Sequence, residues 1–599
     1  MRFWKQGEDF SNSVHCLGNG SLCVYEKGPE ILQVFGPPFG CGTVAGLSIV
    51  GSGYSSQSSR IVQTNTWVHK LFYNGKMIGT ITDFISATQN VFIREMDLLK
   101  AMVWKINLGQ NAFFENDDAV ILPKGSAIFM EYLSQKDTSV VFFCDKVKIQ
   151  NGIINIPQGK SVLNIASAQT VVEAREIIDS IISKSICLVR QESENDWKEY
   201  ISRIKVEIRE DAEQREKLLK TVEDVAVLIR SQQSREGSIL AGYNYHLGYV
   251  RDQFGAFRCL MKLHLYPEAK KVLTFYRDTY KDFGQLHNAQ AAGVPGVFHV
   301  HENDEVEITG YLILQTIQYY EQTGEEIFFR SMIPLLMKCL EWQVSALHKN
   351  MLPFNGDETY IAGAFLNRFV MDEGSAEATM LFILGANKFF EIAPKFQINL
   401  DKYKPYVEAA ENVYRKNFVV DGKLACNNSE RRSGLIYPKK RHGVCVGCNA
   451  FGDLTVNSQG YDVCEKCKNE TFDYVQIKYF LPAVALVPAY LGTNMFSLQE
   501  MQGFCEDTVE DYIKFGAAGK NRVGYEFGYL LFALMRIHAD NDLLQSVAKT
   551  TLNLVDDVGA WSEYYVKGKP FNTRYRPWES GINLEALLCF FKNSEGDFS

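Results

Sequence analysis

A chain of 599 residues exceeds what one hydrophobic core usually serves, so two or more domains are expected. Its composition, 46% apolar and 22% charged, is that of a globular rather than a disordered polypeptide, and with a net charge of −9 no nucleic-acid partner is expected, the short basic run Arg431, Arg432, Lys439, Lys440, Arg441 reading as a solvated loop face. The longest apolar stretch, 479–491, is short and broken by Pro482 and Pro488, so no membrane partner is expected either; composition leaves the oligomeric state open.

The first residues, MRFWKQGEDFSNS, contain no apolar core of a secretory signal. Together with fourteen cysteines, this predicts free thiols in a reducing, cytoplasmic setting. Residues 1–190 read as short strands. SLCVYEKG, EILQVFGPP and SVVFFCDKVKIQNGIINIP cluster β-branched and aromatic residues between Gly, Pro and Asn, the pattern of an N-terminal β-sandwich. Residues 191–230 carry charged, amphipathic helical periodicity and read as a helical linker. From 231 to 599 apolar stripes at helical spacing dominate, separated by Gly- or Pro-containing loops. A dozen or so helices without a clean repeat favour a closed (α/α)6 barrel over a solenoid.

Three segments of this helical half could carry chemistry. Tyr249-Val-Arg251-Asp252 opens an apolar helix; the Arg-Asp pair suits a cap and salt bridge, and equally a grip on ligand hydroxyls. In Leu352-Pro-Phe-Asn-Gly-Asp357-Glu358-Thr-Tyr360, two acids lie between aromatics, where an apolar setting raises a carboxyl pKa toward that of a general acid. A surface turn is the alternative there, and Glu373, further along, is a rival acid. The third segment, Trp561-Ser-Glu563-Tyr564-Tyr565, surrounds one carboxylate with aromatics and is followed by Arg576-Pro-Trp578-Glu579.

The segment 426–471 interrupts the helices. Cys445-Val-Gly-Cys448 and Cys464-Glu-Lys-Cys467 stand fifteen residues apart, the spacing of a four-cysteine structural zinc site. Two local disulfides or a redox pair are the other readings. Four protein ligands leave no open position, so one structural zinc and no catalytic cofactor are expected.

Taken together, YVRD before a helix, the Trp342-to-Glu358 stretch, Ser375-Ala-Glu-Ala-Thr, and WSEYY followed by PWESGINLEALL resemble glycoside hydrolase family 15, the glucoamylase-like branch of the six-hairpin glycosidases. The triplet Gly356-Asp357-Glu358 differs from that family's Trp-Glu and is similar to the Gly-x-Asp-Glu of disaccharide phosphorylases. The resemblance implies an inverting, exo-acting glycoside hydrolase releasing a terminal sugar, glucose from an α-glucoside or oligosaccharide. It implies Glu358 as acid and Glu563 as base, with Tyr249, Arg251, Asp252, Asp357, Trp561 and Tyr565 around the substrate. A disaccharide phosphorylase and a non-catalytic carbohydrate-binding protein remain as alternatives on the same scaffold.

Overall fold

The computed structural model describes residues 14–592 apart from 130–131, 134–135, 210–213, 244, 295, 300–303, 354–373, 429–440, 446–447, 449–450, 457–461, 465, 469–471, 474–479 and 572–574. The expected acids Asp357, Glu358 and Glu373 lie outside the described residues, and so does the side chain of Cys445.

The N-terminal region is a β-sandwich. One sheet has six strands in the order Val14–Gly18, Cys23–Lys27, Glu30–Phe35, Ala45–Ile49, Met102–Leu108, Ile153–Ile156. The other has eight, in the order Phe113–Asn116, Ala119–Leu122, Thr138–Cys144, Gly159–Ala168, Val91–Leu98, Lys76–Ile85, Trp67–Tyr73, Tyr54–Arg60. All the paired neighbours are antiparallel. Strand period 2 sorts the side chains of Val91–Leu98. Val91 and Ile93 pack with Phe84, Val141 and Ala166 against the helix Val171–Ile182 (α1). Arg94 points the other way, into the space between the sheets, with its guanidinium over Trp104. The α1 start is closed by reciprocal bonds of Thr170 and Glu173, a capping box.

Thirteen further helices follow among the described residues: α2 (Ile186–Ser202), α3 (Arg215–Ser231), α4 (Val250–Lys262), α5 (Tyr266–Phe283), α6 (Asp304–Thr323), α7 (Glu326–Ala346), α8 (Ala376–Ile392), α9 (Lys404–Phe418), α10 (Pro482–Leu491), α11 (Leu498–Phe515), α12 (Glu526–Arg536), α13 (Asn541–Asn553) and α14 (Pro577–Phe590). No described helix is long and apolar enough to cross a membrane.

The chain forms two compact units. The first gathers 1–285, 289–299 and 548–595; the second holds 286–288, 300–547 and 596–599. In the first unit, α14 packs on α4 and α3, so the last helix closes on helices from over 300 residues earlier. In the second, α6 packs on α7 and α8, α8 on α9, and α10 on α11 and α12.

The α4–α14 contact brings Asp252 of α4 to Arg576 at the start of α14. It depends on two glycines facing each other. A Cβ at Gly581 would meet the Gly255 carbonyl oxygen at 2.7 Å, and one at Gly255 would meet Ile582 Cγ1 at 2.9 Å. Backbone cannot yield as a side-chain tip can. Gly581→Ala is therefore expected to destabilise by about 1–3 kcal/mol, the usual cost of overpacking. Calorimetric melting tests this; an unchanged Tm would show that the helices can part without cost.

Candidate active site

Four charged side chains meet where α4, α14 and the loop after α13 converge. Asp252 stands in the first turn of α4, just after Tyr249 at the N-cap. Arg576 is the N-cap residue of α14, with Pro577 at the first helical position and Glu579 one turn in. Glu563 lies in the loop between α13 and the short strand Tyr564–Val566.

Local chemistry fixes that loop. Asp556 Oδ1 accepts from the Val558 and Ala560 backbone N–H groups at 3.1 and 2.9 Å, a side-chain-stabilised turn. Trp561 donates its indole N–H to the Thr551 carbonyl at 2.9 Å, and the Ser562 hydroxyl donates to the Phe571 carbonyl at 2.8 Å. The Tyr565 hydroxyl accepts from Ser562 N–H at 3.1 Å and donates to the Leu554 carbonyl at 3.2 Å. Trp561 is fully buried and Tyr565 nearly so. Both expected site residues thus tie down the backbone around Glu563 through their polar tips.

Arg576 is the hub. Its Nη2 donates to Asp252 Oδ1 at 3.0 Å and lies 3.9 Å from Glu563 Oε1, while Nε donates to Glu579 Oε2 at 3.2 Å. The guanidinium also lies over the Tyr245 ring, 5.3 Å from its centroid, and Tyr245 meets Tyr249 edge-on. Tyr249 thus reaches the cluster as an aromatic support. Arg251 stacks over Trp578 at 5.7 Å and brings Nη2 to 4.0 Å from Asp252 Oδ2.

Asp252, Glu563, Arg576 and Glu579 are all buried. Three carboxylates around one guanidinium cannot all ionise cheaply in such a place. Burial pushes the Glu579 carboxyl from its ordinary 4.5 up to about 7; Arg576 opposes the rise, while Glu563 and Asp252 add to it. Arg576, held between the carboxylates, stays charged: their attraction raises its pKa well above the usual range against the cost of burial.

Two polar atoms here, Asp252 Oδ2 and Arg576 Nη1, are buried without a hydrogen-bond partner. The Tyr276 hydroxyl, close enough to Asp252 to feel its charge, is a third. A buried polar atom left unbonded costs about 1–3 kcal/mol. Asp252 thus leaves one acceptor unused and Arg576 one donor, and a hydroxyl can serve either kind of group.

The sequence reading missed Arg576 as an organising residue, and Glu579 and Tyr245 with it. The signals were faint. Tyr575 adopts φ 60°, a strained left-handed conformation for a bulky residue, directly before Arg576. Gly242 leaves room for the arginine stem, since a Cβ there would meet Arg576 Cδ at 2.9 Å. Neither feature is visible without the fold.

In the second unit, Ser375 N–H donates to the Leu352 carbonyl at 2.8 Å, and the Ser375 hydroxyl accepts from Ala378 N–H to start α8. Leu352 and Ser375 stand on either side, in sequence, of Asp357, Glu358 and Glu373. The cysteine segment also falls in this unit. Sγ atoms of Cys448, Cys464 and Cys467 lie within 4.8 Å of one another, with Cys448 and Cys464 at 3.7 Å. Cys445 ends the strand Arg441–Cys445. A three-thiol cluster at this separation could hold a metal ion of the zinc type.

No protein-family profile matches this sequence, and no curated protein does. Among solved structures the chain is similar to a bacterial glucoamylase complexed with acarbose, with a TM-score of 0.67 at 9% identity over 98% of this chain and 95% of that one. It is also similar to a protein assigned as a kojibiose phosphorylase, from the human microbiome, with a TM-score of 0.52 at 8% identity over 97% of this chain and 87% of that one. At such identities the likeness shows a shared fold, a β-sandwich followed by a helical domain of the glucoamylase kind.

Two outcomes are expected. The stability that Glu579 contributes is complete below its ordinary 4.5 and is lost as pH rises through about 7, because the native state holds that proton more tightly. Glu579→Gln, neutral throughout, should therefore lose less Tm than wild type between pH 5 and pH 8, measured by scanning calorimetry. Parallel curves would remove the proton from Glu579. Separately, the Cys448→Ser, Cys467→Ser double variant should lose one equivalent of zinc relative to wild type by elemental analysis, and identical metal content would exclude the thiol site.

Proposed function

We propose that the protein is an inverting, exo-acting glycoside hydrolase that removes a terminal sugar, glucose from an α-glucoside or oligosaccharide. The observation that carries this reading is the Arg576 hub: a guanidinium 3.9 Å from Glu563 and bonded to Asp252, with one buried donor and one buried acceptor of that pair left without a hydrogen bond. The helices are then those of an (α/α)6 barrel, and the fold likeness to a glucoamylase supports that assignment.

In this mechanism Glu563 is the base. It takes a proton from a water poised against the anomeric carbon, as the glycosidic oxygen leaves on the opposite face with a proton from Glu358. Inversion needs about 6.5–9.5 Å between the two carboxyl groups, to hold that water. Arg576 Nη2, 3.9 Å from Glu563 Oε1, helps hold that carboxyl in place. Asp252 Oδ2 and Arg576 Nη1 bind neighbouring sugar hydroxyls and fix the ring's angle to the water. Arg251, held over Trp578, lines the approach in this reading, and Asp357 serves the substrate beside Glu358.

Phosphorolysis is the second reading, favoured by the Gly356-Asp357-Glu358 triplet and by the likeness to the protein assigned as a phosphorylase. Phosphate would then replace the activated water and no base would be needed. The discriminating experiment incubates a panel of disaccharides with and without inorganic phosphate. Free sugar independent of phosphate is expected; a sugar phosphate formed only with phosphate would replace hydrolysis by phosphorolysis. No turnover of any glycoside, with binding intact, would leave a carbohydrate-binding protein.

The two glutamates should fail differently. Glu358→Gln is expected to lose activity by about 100-fold or more on natural sugars, yet to keep more of it on a glycosyl fluoride, whose leaving group needs little protonation. Glu563→Ala should lose both, and azide should restore turnover with inverted configuration. Proton NMR showing a retained anomer as first product would refute the base role of Glu563.

A further inference from the structure

Far from these residues in sequence, the sandwich buries a second ionisable cluster. His15 comes from the strand Val14–Gly18 and Glu26 from Cys23–Lys27, both in the six-stranded sheet; His69, Asp83 and Arg94 come from Trp67–Tyr73, Lys76–Ile85 and Val91–Leu98, all in the eight-stranded sheet. All five side chains are fully buried. A β-sandwich core is normally apolar, and each of these groups is expensive there unless something compensates it.

Arg94 compensates only part. It donates to Glu26 Oε1 at 2.9 Å and to Asp83 Oδ1 and Oδ2 at 2.9 and 2.7 Å. Glu26 Oε2 is turned instead toward the histidines, 3.1 Å from His15 Nε2 and 3.9 Å from His69 Nε2. His69 Nε2 lies 3.2 Å from Asp83 Oδ2, yet it forms no hydrogen bond. The other ring nitrogen of His69 is within 2.8 Å of the Ser58 hydroxyl, and His15 is stacked on Trp67 at 3.7 Å, so both rings are fixed. With Nδ1–H donating to Ser58, the Nε2 lone pair of His69 faces two carboxylate oxygens.

We propose that His15 Nε2, Glu26 Oε2 and His69 Nε2, with Asp83 Oδ2 as the nearest fourth donor, bind a divalent cation of the zinc class that pins one sheet of the sandwich to the other. The three principal donor atoms lie within 4.8 Å of one another. In a tetrahedral site with bonds of about 2.1 Å, ligand atoms stand about 3.4 Å apart, and the nitrogen–oxygen separations here are 3.1, 3.9 and 3.2 Å. A single proton can bridge one of these pairs, whereas a single cation bridges all. The supporting contacts are those of metal sites: Ser58 orients one imidazole, and Arg94 holds the outer oxygen of the ligating carboxylate. Imidazole and carboxylate donors together suit Zn2+ or Co2+ better than Ca2+ or Mg2+.

The test uses the full chain carrying Cys448→Ser and Cys467→Ser, which removes the thiol cluster as a source of metal. After chelator treatment and reconstitution with Zn2+ or Co2+, one equivalent should remain on the folded chain. The cobalt form should show visible d–d bands without thiolate charge transfer, and Tm should rise with metal. A folded chain that retains no stoichiometric zinc or cobalt would overturn the site and assign the cluster to protons alone. His69→Gln in the same background should lose the equivalent. If that variant fails to fold, Ser58→Ala, which removes only the contact orienting His69, should weaken zinc affinity by about 10-fold or more; unchanged affinity would equally overturn the site.

Discussion

One buried guanidinium organises the candidate active site. Arg576 reaches Asp252 on α4, Glu579 on its own helix and Glu563 in a loop, so three separate pieces of backbone are fixed by one planar cation. A lysine could not substitute, because the contacts diverge from different nitrogens of a rigid fork. Burial makes the arrangement demanding as well as strong: removing the cation would leave carboxylates buried together without compensation. The protein answers that constraint with a strained residue before Arg576, a glycine beside its stem, and one carboxyl that keeps its proton up to about pH 7.

The β-sandwich was legible because strand period and turn residues are local signals, and 1–190 carried them plainly. The helices were legible for the same reason: the apolar stripe of 254–261 faces Gly581 and Ile582 across a helix contact that period alone could not name. Asp252 and Glu563 could be picked from short motifs. Their common partner could not, because Arg576 stands 324 residues from Asp252 and nothing local marks it as the cation that both need. Trp561 and Tyr565 show the reverse difficulty. Aromatic residues beside a carboxylate read as ligand-facing walls, yet here their polar tips are spent on backbone carbonyls at Thr551 and Leu554. Which face of an aromatic is wet is a tertiary property.

The same reasoning applies in the sandwich. His15, Glu26, His69, Asp83 and Arg94 sit on five strands with no common spacing, and only sheet order brings them into one core. The cysteine pairs are the opposite case: their spacing was readable directly, and three of the four thiols are found together.

The α4–α14 contact has a consequence for how the chain acquires its site. Asp252 leaves the ribosome long before Arg576, and at about 5–20 residues per second the interval is on the order of 15–65 s for a separation of 324 residues. Through that time the face of α4 that meets α14 lacks that partner, although α5 follows at once on another side, and residues 300–547 of the second unit are synthesised in between. The first unit therefore completes its Arg576 cluster late in synthesis. Asp252 and Glu563 gain their common cation only when the N-terminus of α14 arrives with its arginine.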